Sequence, residues 1–77
     1  MNDDERSAVE AVHAALAAKD GPGLRLLLHP YLHWTDPTGR HLRGRTKVLE
    51  YLADAGHLAG PPASVEVRDG QIYRWTA

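Results

Sequence analysis

The chain contains no cysteine, which excludes disulfide stapling and any zinc site built on thiolates. Long apolar runs are missing too, and none approaches the length that spans a membrane. Residues 2 to 6, "NDDER", are the opposite of the basic start of a signal peptide, so a soluble cytoplasmic protein with no membrane partner is expected. Neither sign of charge dominates. Ten acidic against nine basic residues give a net charge of −1, so nucleic acid is not expected as a partner. There is no nucleophile elbow, phosphate loop or dinucleotide fingerprint, no internal repeat, and nothing that implies a cofactor. Length itself is scarce. Seventy-seven residues make a single domain, 1–77, whose isolated core would be marginal. With no disulfide or metal to add stability, association with a second copy is the expected route.

What the chain does contain is a regular alternation of helix and hairpin signals. "DDERSAVEAVHAALAAK" places Val9, Val12, His13 and Leu16 on one helical stripe, capped by Asn2 or Asp3. "DGPG" stops it, and Leu24, Leu27 and Leu28 form the apolar side of a second short helix ended by Pro30. "YLHWT" alternates as a strand, Asp36-Pro37-Thr38-Gly39 is a turn, and "RHLR" returns. "GRTKVLEYLADAG" is a third helix with Val48, Leu49, Leu52 and Ala55 buried and Gly56 as its stop. "SVEVRDGQIYRW" is a hairpin with a two-residue Asp69-Gly70 turn. The order fits an α+β layer, helices on one face of an antiparallel sheet.

Alternation assigns faces. With Pro37, Thr38 and Gly39 as the loop, Asp36 opposes Arg40, Trp34 opposes Leu42 and His33 opposes Arg43. Leu32, Trp34, Asp36, Arg40 and Leu42 then face the helices, while Tyr31, His33, Thr35, His41 and Arg43 face outward. In the last hairpin Val65, Val67 and Ile72 share one face, and Glu66, Arg68, Tyr73 and Trp75 share the other. Exposed aromatics on a polar face imply a partner surface. A symmetric homodimer is therefore expected, with Tyr73, Trp75, His33, His41 and Tyr31 at its interface.

These segments together resemble the nuclear transport factor 2-like superfamily, in particular its SnoaL-like and ketosteroid-isomerase-like members. The resemblance rests on "AALAAKDGPGLRLLLHP", "HWTDPTGRHLRGRTKVLEYL" and "VEVRDGQIYRW", and runs nearly end to end. It implies a cone of three helices on one face of a curved antiparallel sheet, here of about four strands, with a pocket between. Most members have a further strand pair where this chain has only the "AGPPAS" linker, which implies a smaller or more open pocket. The resemblance also places Asp36 where ketosteroid isomerases carry their carboxylate base. Their oxyanion-donating Tyr is matched by Val12, and their second donor lies in the missing strands. Without those donors an enolate goes unstabilised, so steroid isomerisation is not expected.

Several residues keep two readings. Asp36 is either a general base, its pKa raised by burial near Trp34, or a turn residue that accepts backbone amides and pairs with Arg40. His13 is either a proton donor or a half-buried core histidine, and Tyr51 is the other candidate proton partner. Trp34, Leu42, Val12, Leu16 and Arg40 are the expected ligand-binding residues, for a small hydrophobic ligand. His33 and His41 are diagonal neighbours with no acidic ligand to join them, so no metal is expected. Arg40, Arg43, Arg45 and Lys47 form a basic run that reads as a solvated rim or an anion contact. Function divides between acid–base chemistry of the cyclase or isomerase kind and a non-catalytic ligand-binding or dimerisation module. Whether the chain is an enzyme stays open.

Overall fold

The computed structural model describes residues 2–55, 60 and 62–77. Helices α1 (Asp3–Ala17) and α2 (Gly21–Leu27) lead into strands β1 (Leu28–Thr35) and β2 (His41–Arg43). Helix α3 (Arg45–Ala55) and strands β3 (Ser64–Arg68) and β4 (Gln71–Thr76) complete the order. Asn2 caps α1 reciprocally with Glu5, and three acidic residues in the first turn face the positive end of the helix dipole. Asp20 caps α2 through the Gly23 amide, 2.9 Å away. Helix α2 ends at Leu27, before Pro30 is reached, and β1 runs through that proline. The expected stop of α3, Gly56, lies outside the described residues.

The sheet order is β2-β1-β4-β3. Both outer pairs are antiparallel hairpins, but the central pair, β1 and β4, is parallel. The expected all-antiparallel sheet is thus corrected to a mixed one. Alternation and turn residues specify each hairpin locally. Which strand of one hairpin lies beside which strand of the other is a long-range choice, made by α3 crossing between them.

The first hairpin has the expected register: His33 opposes Arg43, Trp34 opposes Leu42 and Thr35 opposes His41. Its loop closes through the Gly39 amide on the Asp36 carbonyl at 3.0 Å, and Gly39 takes φ +89°. That is a turn followed by a left-handed residue, the usual three-residue connection.

The second hairpin departs from expectation. Asp69 and Gly70 both take positive φ, and Arg68–Gln71 and Val67–Ile72 pair as the tight turn dictates. The register then shifts between Val67 and Glu66, so that Glu66 opposes Arg74 and Val65 opposes Trp75. This bulge inserts one residue in β4, and the side chains beyond it change faces. Trp75 therefore points under the helices, only 2% exposed. The outward Trp75 expected from strict alternation is corrected. Beside it on the parallel neighbour lies Trp34, and the two indoles stack with centroids 4.7 Å apart and planes 4° from parallel. That distance is the spacing of adjacent strands, which sets the stack. Around the pair close Val12 from α1, Leu28 and Leu32 from β1, Val48 and Leu52 from α3, and Ile72, all fully buried.

Candidate functional site

Asp36 directly follows β1 at the rim of this core. Its Oδ1 accepts hydrogen bonds from the Thr38 hydroxyl at 2.6 Å and from the Thr38 and Arg40 amides at 2.9 Å each. Only 6% of the residue is exposed. The Thr38 hydrogen bond, helped by the Arg40 and Thr38 amides and the Arg40 charge, holds the carboxyl below its ordinary value against the upward pull of desolvation. A base needs a raised pKa and a free lone pair aimed at a substrate. This carboxylate instead organises the turn that follows it. Thr38 was not singled out from the sequence, although Asp-Pro-Thr is a pattern in which side chains fold back on the local backbone.

The other expected site residues are divided among three places. Val12 and Trp34 lie in the closed core. His13 is half-buried on α1, its ring 6.2 Å from that of Trp75. Among the described residues its buried Nε2 has no hydrogen-bond partner. Arg40, Leu42 and Tyr51 line an open recess of about 560 Å³ between β2 and α3, together with His41, Arg43, Lys47, Glu50 and Asp54. Leu16 lines a separate recess of about 780 Å³ where the end of α1, the α1–α2 turn, α2 and α3 meet. Its aliphatic wall includes Leu24, Leu49 and Leu52, and Lys19, Asp20 and Arg25 also line it. Neither recess is lined by Asp36, His13, Trp34 or Val12. The helical stripes of α1, α2 and α3 contained this second site, since Leu16, Leu24 and Leu49 are all stripe residues. Nothing in their spacing says that three stripes leave a gap between them.

The outer face of the sheet carries a connected set of rings. His29 packs edge-on against Tyr73 at 5.0 Å and 5.9 Å from Tyr31, and His33 lies 5.6 Å from Tyr73. The Arg68 guanidinium sits 4.2 Å above the Tyr73 ring. Tyr31 is 75% exposed. Of the five residues expected at a dimer interface, Tyr31, His33, His41 and Tyr73 share this face, while Trp75 is in the core. His33 Nδ1 and His41 Nε2 are 3.4 Å apart, and the Thr35 hydroxyl is 3.2 Å from His41 Nδ1. Partial desolvation, then the guanidiniums of Arg43 and Arg74 and the neighbouring His41, lower the pKa of His33; Glu66 opposes them. Among the described residues no group of three or more histidine or acidic side chains is placed to share a metal ion. No described helix is long and apolar enough to cross a membrane.

No family model and no curated protein matches the chain. Solved structures do. A "putative polyketide cyclase" from Pseudomonas putida superposes with a TM-score of 0.74 at 15% identity, over 94% of this chain and 88% of that one. A nuclear transport factor 2-like protein from Burkholderia xenovorans gives 0.74 at 14% identity, over 96% and 87%. A "putative ketosteroid isomerase" from Kribbella flavida gives 0.72 at 16% identity, over 95% and 75%. The chain has the nuclear transport factor 2-like fold, as its residues implied.

Proposed function

We propose that this chain is a binding domain for a small apolar molecule with an anionic end, held in the recess between its three helices. The observation that carries this reading is the recess itself, about 780 Å³ with Leu16, Leu24 and Leu49 in its wall and Lys19 and Arg25 beside them. Ligand sites usually pair such a volume and an apolar lining with a few polar groups. Asp20 offsets one of these two cations, which leaves an excess of positive charge among the lining residues. Titration with medium-chain carboxylates, followed by amide NMR shifts, tests the reading. Saturable shifts at Leu16, Leu24 and Leu49, weakened by Leu49→Gln, are expected. Shifts that stay linear to millimolar ligand would overturn it.

Acid–base chemistry, with Asp36 as base and His13 or Tyr51 as proton partner, is the second reading. It draws its support from the names of the isomerase and cyclase that share the fold. Against it stands the depressed pKa of Asp36. The homodimer remains part of the proposal, now through Tyr31 and Tyr73 without Trp75. Sedimentation of the Tyr31→Ala, Tyr73→Ala double variant tests it, and a dimer that survives both changes would place the contact elsewhere.

A further inference from the structure

We propose that His33 and His41 form a two-histidine chelate for a divalent transition-metal ion on the outer face of the sheet. In sequence they are eight residues apart with a turn between, and the hairpin register makes them diagonal neighbours. Their nearest ring nitrogens, His33 Nδ1 and His41 Nε2, are 3.4 Å apart. Two imidazole nitrogens each about 2.0–2.1 Å from one tetrahedral ion are separated by roughly 3.3–3.4 Å. The bite of the pair is therefore that of adjacent corners of a tetrahedral site.

The surroundings add a second feature of such sites. A metal-bound histidine normally donates its other ring N–H to a neighbouring acceptor, which fixes the tautomer and the ring orientation. The Thr35 hydroxyl is in place for this, 3.2 Å from His41 Nδ1. When Nδ1–H donates to Thr35, the lone pair of His41 Nε2 faces His33. The competing arrangement is a direct hydrogen bond between the two rings. A metal replaces it when His33 carries its proton on Nε2 and turns its Nδ1 lone pair to the ion.

The chemistry of the face selects the ion. Both register partners of His33, Arg43 and Arg74, are cationic, and the carboxylate whose charge reaches His33, Glu66, is itself paired with Arg68 and Arg74. Ions held by charge and oxygen ligands, such as Mg²⁺ and Ca²⁺, are repelled there. Ions that form strong bonds to imidazole, such as Zn²⁺, Ni²⁺ and Cu²⁺, are the fitting class, with water in the remaining positions.

The test is a Zn²⁺ titration of the full chain, followed through the histidine side-chain ¹⁵N shifts, with Mg²⁺ in parallel. Saturable shifts at His33 Nδ1 and His41 Nε2 in the micromolar range are expected, and none with Mg²⁺. His33→Ala and His41→Ala should each weaken binding at least tenfold, while His29→Ala leaves it within twofold. Thr35→Val should weaken it by about tenfold, the effect typical of losing an outer-shell partner. Circular dichroism confirms that these surface variants fold. No saturation below millimolar Zn²⁺, or binding unchanged in either histidine variant, would overturn the proposal and leave the two rings joined by a hydrogen bond alone.

Discussion

The first hairpin, β1–β2, keeps strict alternation from His33–Arg43 to Thr35–His41, whereas the second, β3–β4, loses it between Val67 and Glu66. Both begin from turns that fix the first pairs. The difference lies in what each strand must bury. In β1 the large side chains Leu32 and Trp34 already fall two apart, so a regular strand delivers both to the core. In β4 the large side chains are Ile72 and Trp75, three apart, and no regular strand can bury both. Removing an indole of about 150–250 Å² from water is worth on the order of 4–6 kcal/mol at roughly 25 cal/mol per Å². A lost ladder hydrogen bond costs roughly 1 kcal/mol. Burial wins, and the strand bulges.

The comparison is broken most severely at Trp75. Trp75→Ala removes one half of the stacked pair and should cost about 3–5 kcal/mol in urea unfolding, as large core truncations do. A loss under about 1 kcal/mol would return Trp75 to the outer face and remove the bulge.

Deleting Tyr73 should sharpen the comparison. Without the extra residue, Ile72 and Trp75 stand two apart, and strict alternation keeps both inside. The ring and guanidinium contacts of Tyr73 are lost, so a destabilisation of about 1–2 kcal/mol is expected. Amide exchange in β4 should stay slow. Fast exchange throughout the strand would show that the bulge holds the sheet together for some other reason.

In the first hairpin the equivalent test is Asp36→Ala, which removes the acceptor of three hydrogen bonds. Exchange of the Thr38 and Arg40 amides should quicken, with Asp36→Asn intermediate because one oxygen remains. The folded carboxyl has a lower pKa than the unfolded value of 3.8. Its contribution is therefore complete above that pH and lost as pH falls through the folded pKa. An NMR-detected Asp36 pKa at or above 3.8 would restore the general-base reading.

The smallest effect is expected at His33. Its folded pKa lies below the unfolded 6.5, so the unfolded chain takes up the proton first as pH falls. Stability is full above 6.5 and declines below it. His33→Gln should flatten a modest part of that decline in pH-dependent unfolding, and identical slopes in both proteins would remove the assigned electrostatic cause.

The sequence alone determined the elements whose causes are local. Periodic stripes and an Asn cap made α1, Asp-Pro-Thr-Gly and Asp-Gly made the two turns, and β1–β2 alternation paired Trp34 with Leu42. The same residues carried the resemblance to the fold. Tertiary structure decided what depends on contacts distant in sequence. The parallel β1–β4 pairing joins strands separated by a helix and two other strands. The face of Trp75 was set by an available Trp34 across that pairing, which outweighed strict alternation. Asp36 was legible as either a base or a turn residue, and only the position of the Thr38 hydroxyl separated the two. The recess between the helices and the approach of His33 to His41 likewise depend on how elements pack, since helical and strand periods fix which side a residue faces but not what meets it there.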